Sequence, residues 1–163
     1  MSVALLLATR DDELFLLEVY ASTRLEELEL TQWDETQRAA FVRMQFNAQR
    51  HHYEVNFPEA EHQIIVNNGE RVGRLYIARL ERTIRILDIT ILPARRNAGI
   101  GTSLLTEILK ESRETAKPVH IYVESFNPSM RLFERLGFIK ADSSDFNFLM
   151  EWTPKSCTNG TAR

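Results

Sequence analysis

Residues 83 to 123 form the segment that most restricts the fold, because its hydrophobic pattern changes twice. Thr83 to Leu92 is rich in β-branched residues, and Pro93 ends this run. From Gly99 to about Thr115 the apolar residues recur at helical spacing, and Pro118 to Val123 is again β-prone. A strand, a long helix and a strand in this order predict a right-handed crossover between parallel strands.

The flanking segments add elements with local signals of their own. Thr9 and Asp12 have the spacing of a capping box at the start of a first helix, whose apolar stripe would carry Leu14, Leu17 and Val19-Tyr20. Asn68-Gly69 is a strong hairpin signal. Gly137 is placed to end a short helix. The predicted strands are 2–8, 62–66, 71–80, 83–92 and 118–123, with a closing hairpin of 138–139 and 146–152, and the helices are 9–20, 34 to the fifties, 99–115 and 128–136. This order predicts an α/β fold with a mixed sheet, antiparallel at both ends and parallel at its centre.

Composition limits the possible classes of protein. The 163 residues are 44% hydrophobic and 26% charged, with a net charge of −3, which is ordinary for a globular domain and unlike a nucleic-acid-binding protein. The first apolar run, Val3 to Ala8, is too short for a signal peptide or a membrane span. The one cysteine, Cys157, favours a reducing compartment. We therefore expect a cytoplasmic protein with a single domain over 1–153 and a disordered tail over 154–163.

The turn between the strand and the long helix has the features of an anion site. Its sequence runs from Pro93 through Arg95-Arg96-Asn97-Ala98-Gly99-Ile100-Gly101 to Thr102. The N–H groups of a first helical turn lack acceptors within the helix, and the helix dipole attracts negative charge to them. Glycine lets phosphate oxygens approach these amides, and Arg96 and Thr102 can add charge and a hydroxyl donor.

On spacing alone, a turn that binds no ligand is an equally good interpretation. Two nucleotide sites are excluded, however. The segment lacks the Lys-Ser/Thr ending of a P-loop and the three-glycine fingerprint of dinucleotide-binding enzymes.

Two motifs together resemble the GCN5-related N-acetyltransferase (GNAT) superfamily. Arg96-Asn97-Ala98-Gly99-Ile100-Gly101 is similar to the family's Arg/Gln-x-x-Gly-x-Gly/Ala signature, and it follows a strand that ends at Ile91-Leu92-Pro93. Asn127-Pro128 and the run from Arg131 to Phe138 resemble the later motif, an Asn after a strand and then a helix that ends in Gly-Phe. The resemblance implies the GNAT fold and an N-acetyltransferase that uses acetyl-CoA.

The resemblance also implies roles for individual residues. Ile91 and Leu92 would pair with the pantetheine amides, and the segment from Arg96 to Thr102 would bind the pyrophosphate. Asn127 would contact the pantetheine arm, and Phe133 would line its sulfur end. Acetyl transfer would be a direct attack of an amine on the thioester, without a metal and without a covalent enzyme intermediate.

Three residues are candidates for moving protons or binding the acceptor. Many family members have Tyr where this chain has Phe133, which cannot donate a proton. Glu124 is a candidate base acting through water, and its alternative role is a surface salt bridge or a structural hydrogen bond. Tyr122 shares its strand face and is an alternative donor, although strand aromatics more often pack in a core. Asp88 would bind the acceptor's amine or a neighbouring backbone group.

Two other functions remain open at this point. Because Phe133 cannot donate a proton, a non-catalytic acyl-CoA-binding or regulatory domain with the same fold is a second hypothesis. The third hypothesis is a structural domain whose glycine turn binds no ligand. The closing strand, 146–152, is a candidate edge for a homodimer.

Overall fold

The computed structural model describes residues 2–125, 127–144 and 147–155. Its strands are β1 Val3–Leu7, β2 Glu61–Asn67, β3 Glu70–Arg79, β4 Ile84–Ile91, β5 Val119–Glu124, β6 Ile139–Ser143 and β7 Asn147–Trp152. Its helices are α1 Glu13–Ser22, α2 Leu25–Glu29, α3 Glu35–Asn56, α4 Ile100–Thr115 and α5 Met130–Arg135. Short 3-10 turns lie at Arg10–Asp12 and Pro93–Arg95.

The strands form one seven-stranded mixed sheet in the order β1-β2-β3-β4-β5-β7-β6. β1 pairs with β2 antiparallel, and β7 pairs antiparallel with both β5 and β6. β4 and β5 are parallel, with Ile84, Arg85 and Ile86 opposite Val119, His120 and Ile121. The predicted α/β fold with a parallel centre and antiparallel ends is therefore confirmed.

Local signals placed most element ends correctly. The capping box forms, with the Thr9 N–H donating to Asp12 Oδ2 at 2.9 Å. Asn68 and Gly69 both have positive φ, 53° and 83°, as a two-residue hairpin turn requires. Gly137 (φ 102°) ends α5, where the Phe138 N–H donates to the Phe133 carbonyl at 3.0 Å, so that the last carbonyls of the helix are satisfied.

Three expectations need correction. Helix α2 was not predicted, because five residues between two longer helices are too few to show a period. Leu14 was predicted on the buried stripe of α1, yet it is 74% exposed and Leu16 is buried in its place. The closing strand is not an edge, because β7 lies between β5 and β6. Residue 146, predicted to begin that strand, lies outside the described residues.

Contacts within the chain define two compact units. The first comprises the residues up to Tyr76 together with Asp88–Ile100, and the second comprises Ile77–Leu87 together with the residues from Gly101 onward. In the first unit, apolar side chains of α1, α2, α3 and β2 form a core of Leu16, Tyr20, Leu28, Val42, Phe46 and Ile64. In the second, α4 buries the stripe predicted from its period, Ile108 with Leu104 and Leu105. A single catalytic domain over 1–153 stays a prediction, and residues 156–163 of the predicted tail lie outside the described part.

Candidate functional site

The segment between β4 and α4 leaves its backbone open to solvent. Residues 93–99 are exposed, and Asn97 and Gly99 have positive φ of 64° and 80°. Ile100, by contrast, is only 2% exposed and anchors the start of the helix. The two left-handed residues turn the chain sharply from strand to helix, which is why an asparagine and a glycine stand there.

The start of α4 presents unsatisfied donors at this turn. The helix begins at Ile100 and runs for 16 residues, so the N–H groups of its first turn have no acceptor within the helix. The helix dipole adds a partial positive charge at the same place. Gly101 and Thr102 lie half-buried in this turn. The segment can therefore bind an anion such as a phosphate.

The two arginines beside the turn differ in their contacts. Arg95 Nη2 forms an ion pair with Glu70 Oε2, so its charge is already compensated. Arg96 Nε donates to the Ile91 carbonyl at 3.0 Å, and among the described residues Arg96 has no carboxylate partner. Arg96 can thus add attraction for an anion here.

Ile91 and Leu92 direct their backbone groups to opposite edges of β4. The Leu92 N–H donates to the Val72 carbonyl of β3 at 2.8 Å, so it is already used in the sheet. Consecutive strand residues alternate in this respect, and the Ile91 groups therefore face away from β3. Of the two residues predicted to pair with an extended amide-bearing ligand, Ile91 has the suitable orientation.

Asp88 belongs to a network of hydrogen-bonded side chains in the first unit. Its Oδ2 accepts from Arg74 Nε at 2.6 Å and from Thr90 Oγ1 at 2.9 Å. Arg74 is 2% exposed and also donates from Nη2 to Gln49 Oε1 at 2.6 Å. A buried guanidinium without such partners would be very costly, so this pairing favours a structural role for Asp88. Its partners are side chains rather than the backbone group considered from the sequence.

An aromatic cluster next to this network was missed by sequence reasoning. His62 of β2 stacks on Tyr76 of β3, with ring centroids 4.3 Å apart and an interplanar angle of 13°. Tyr53 of α3 meets Tyr76 edge-on at 4.9 Å. Burial, with a smaller effect of Arg74, lowers the pKa of His62 to about 4. Burial also raises the pKa of Tyr76. The only sequence signal was a histidine in a β-prone run.

Tyr122 and Glu124 share the exposed face of β5, as the period of two predicted. Tyr122 is 52% exposed, and the Arg85 guanidinium lies 4.5 Å from its ring centroid. The Glu124 carbonyl accepts the Asn127 N–H at 3.0 Å, closing the turn after the strand. Both side chains can reach solvent, so water can reach the predicted base and donor.

Asn127 and Phe133 have defined structural contacts in the second unit. Asn127 Oδ1 accepts the Ser129 N–H at 2.8 Å, which stabilises the turn before α5. Phe133 is 2% exposed and packs edge-on against Phe138, with centroids 5.4 Å apart. These contacts do not test the roles in coenzyme binding that the resemblance implies for Asn127 and Phe133, and those roles stay predictions.

Two features are absent from the described residues. No helix there is both long and apolar enough to cross a membrane. In the same parts of the chain, no three His, Cys, Asp or Glu side chains are grouped so that they could hold a metal ion.

Comparisons with known proteins agree with this fold. The chain is similar in structure to a PaiA N-acetyltransferase from Thermoplasma acidophilum in complex with coenzyme A (TM-score 0.70, 17% identity, 94% of this chain and 99% of that one covered). It is also similar to an acetyltransferase from Thermus thermophilus (TM-score 0.67, 16% identity, 94% and 97% covered). A third similar structure is YncA from Salmonella typhimurium with its cofactor acetyl-CoA (TM-score 0.57, 18% identity, 96% of both chains covered).

Comparison of the sequence identifies a family but no individual relative among the curated proteins. None of the curated protein sequences compared with the chain matches it. The sequence model of the acetyltransferase (GNAT) family, in contrast, matches residues 22–138. This range includes both motifs, the parallel crossover and the exposed turn at the start of α4, and the chain therefore belongs to the GNAT acetyltransferase family.

Proposed function

We propose that the protein is an N-acetyltransferase that transfers the acetyl group of acetyl-CoA directly to a primary amine of a small molecule, peptide or protein. Membership of an acetyltransferase family supports acyl transfer. The exposed turn before α4, with left-handed Asn97 and Gly99, is the observation that supports coenzyme A as the ligand. Coenzyme A and acetyl-CoA in two structures of similar fold support the same ligand class.

The pyrophosphate binds to the backbone amides from Asn97 to Thr102, with the Arg96 guanidinium beside them. Each charge-assisted hydrogen bond from an amide to a phosphate oxygen contributes about 1.5–3 kcal/mol. Ala98 and Gly99 present little or no side chain at the exposed turn, so the oxygens can approach the backbone. Thr102 adds a hydroxyl donor from the first turn of the helix.

The pantetheine arm pairs with the backbone of Ile91, whose polar groups face away from β3. Binding would compete with the hydrogen bond from Arg96 Nε to the Ile91 carbonyl. Arg96 would then turn toward the phosphates, which links the two contacts. For Leu92, Asn127 and Phe133, the resemblance to the family supports roles along the same arm.

Bound acetyl-CoA supplies the thioester carbonyl that a neutral amine attacks. Glu124 accepts the proton of the attacking amine through water, and Tyr122 donates a proton to the leaving thiolate. Their exposure on one face of β5 supports this assignment. Asp88 remains a candidate for the acceptor's amine, although it is already paired with Arg74.

A non-catalytic acyl-CoA-binding domain is the second candidate function. Phe133 stands where many family members have the tyrosine that protonates the thiolate, and it is buried against Phe138. That position cannot supply a proton here. A domain that binds the coenzyme and transfers nothing would need no proton donor.

Calorimetric titration with acetyl-CoA, followed by a free-thiol assay with pooled amines, tests these functions. Saturable binding with amine-dependent thiol release would support the acetyltransferase. Binding without release from any amine would favour the non-catalytic domain. Absence of binding would show that the turn before α4 serves only to connect the two elements.

A further inference from the structure

Helix α1 has apolar residues on more faces than its own core uses. The helix buries Leu16, Val19 and Tyr20, which are 4%, 0% and 4% exposed. Leu17 is half-buried at the margin of this core, and Leu14, one turn earlier in the helix, is 74% exposed. A helix that is apolar nearly all round normally has a partner on each face.

The second apolar face of α1 lines a groove in the first unit. The groove has a volume of about 460 Å³ and is bounded by α1, α2 and the first half of α3. Leu28 and Val42, 6% and 5% exposed, form its floor, and Leu14 and Leu25 form its walls. This volume lies within the range of roughly 300–1,000 Å³ that suits a small molecule.

The rim of the groove is acidic. Glu18, Glu29 and Glu35 line it and are exposed, and within the described part of the chain none has an ion-pair partner. Among the described residues that line the groove, Arg38 is the one cation, and its Nε donates to the Trp33 carbonyl at 3.2 Å. The rim therefore has an excess of negative charge.

Two carboxylates on the same helices that do not line the groove, Glu13 and Glu27, are paired. Glu13 of α1 contacts Arg43 and Arg50 at 3.2 and 2.7 Å, and Glu27 of α2 contacts Arg24 at 2.8 Å. Arginines are thus available to these helices, but they compensate carboxylates outside the groove. The carboxylates of the rim therefore present a negative charge that a cationic ligand can complement.

We propose that this groove binds a small organic cation, an ammonium group attached to an apolar body. The apolar body would cover Leu28 and Val42, and the ammonium would lie between the rim carboxylates. A second copy of the chain fits less well, because a twofold contact would place one acidic rim against an identical one. The site does not depend on acetyl-CoA, so it goes beyond the proposed function.

The test uses n-octyltrimethylammonium below its micelle concentration, with n-octanol and n-octanoate as neutral and anionic counterparts. A quaternary ammonium has no N–H and cannot accept an acetyl group, so binding is measured apart from acetyl transfer. The protein is titrated without acetyl-CoA, and alanine methyl NMR signals report the place of binding. We expect saturable shifts of Ala21 and Ala39, which line the groove, and not of Ala48, which does not.

Two matched pairs of variants localise the site. Ala39→Phe should fill the groove and abolish saturable binding, whereas Ala40→Phe, at an exposed neighbour on α3 that does not line the groove, should not. The triple change Glu18→Gln, Glu29→Gln, Glu35→Gln should weaken cation binding roughly tenfold. Glu26→Gln, Glu107→Gln, Glu114→Gln changes the net charge equally at exposed positions elsewhere and should have little effect.

Several outcomes would overturn the proposal. Equal binding of octanol or octanoate would show an apolar groove without preference for cations. Binding that is unchanged in Ala39→Phe would place the probe elsewhere. A dimeric mass by light scattering, with the Ala21 and Ala39 methyls shielded and no probe bound, would show that a second copy covers the groove. Failure of acetyl-CoA titration would leave this result unaffected.

Discussion

His62 of β2 stacks on the Tyr76 ring. Burial of the His62 imidazole lowers its pKa from 6.5 to about 4. The charged groups that act on it are Arg74, Asp88, Arg50 and Asp12, of which the arginines lower the pKa and the acids raise it. Between these two pKa values the unfolded chain binds a proton that the folded chain does not. Stability therefore rises with pH through this window and is lost on acidification.

We predict that His62→Phe reduces the acid sensitivity of the fold. The phenyl ring keeps the stacking on Tyr76 but cannot bind a proton. Protonation of His62 in the unfolded chain accounts for up to about 3 kcal/mol of the free energy of unfolding that is lost on acidification. Urea unfolding at about pH 7.5 and about pH 4.5 measures the difference, with exposed His51→Phe as the control. An equal loss in His62→Phe and in the original protein would show that other groups cause the acid sensitivity.

Glu124 tests the proposed proton transfer at a single residue. Glu124→Gln keeps the shape of the side chain and removes its basicity, so the rate should fall roughly tenfold to a hundredfold with little change in acetyl-CoA affinity. Steady-state thiol release and calorimetry measure the two quantities, and Glu114→Gln at the exposed end of α4 is the control. An unchanged rate near neutral pH would remove Glu124 from the mechanism.

At the scale of elements, the turn before α4 should lose its ligand when its backbone is covered. Gly99→Glu places a side chain and a negative charge where the pyrophosphate binds, and acetyl-CoA affinity should fall more than about a hundredfold. Gly69→Glu in the β2–β3 hairpin is the matched control. Gly69 also has positive φ, and no atom lies within 4 Å of an added Cβ, so this variant has similar backbone strain away from the turn.

Both variants should lose about 1–2 kcal/mol of stability through left-handed backbone strain. Only Gly99→Glu should lose acetyl-CoA binding by calorimetry. If the two bind alike, the pyrophosphate is not bound at this turn.

Gly73 determines how closely β3 approaches β4. A Cβ there would lie 2.1 Å from the Thr90 carbonyl oxygen and 3.0 Å from Ile91 Cα, so the backbone would have to move. Gly73→Ala should destabilise the protein by about 2–4 kcal/mol. Gly101→Ala is the comparison, because its Cβ would meet only Leu132 Cδ2 at 3.5 Å and helix propensity favours alanine.

Thermal unfolding should therefore lower the Tm of Gly73→Ala and leave the Tm of Gly101→Ala unchanged or raised. A Gly73→Ala variant as stable as the original chain would show that the backbones of β3 and β4 can move apart enough for a Cβ without loss of stability. The sequence contains no signal for this glycine, because the carbonyl it admits is on a neighbouring strand.

At the scale of the whole molecule, we predict that metal chelation changes neither acetyl-CoA binding nor thiol release. The proposed transfer uses backbone amides, Arg96 and the side chains of β5, none of which needs an ion. Incubation with EDTA followed by both assays checks this. A loss that added Mg²⁺ or Zn²⁺ restores would show that a metal takes part in the reaction.

Much of the fold was predictable because its signals are local. The period of α4, the Asn68-Gly69 hairpin, the Thr9 capping box and the Gly137 helix end each involve residues a few positions apart. The crossover from β4 through α4 to β5 then fixes a parallel pair by chain connectivity. The turn from Arg96 to Thr102 was found for the same reason, since its residues are consecutive.

The features that the sequence did not predict join residues that are far apart in the chain. Which face of α1 is buried could not be read from a helix that is apolar nearly all round, so Leu14 was misplaced. The pairing of Arg74 with Asp88, the stacking of His62 on Tyr76 and the groove beside α1 each join separate elements. Short-range patterns specify where elements begin and end, but packing between elements determines which side chains meet, and hence their charge and exposure.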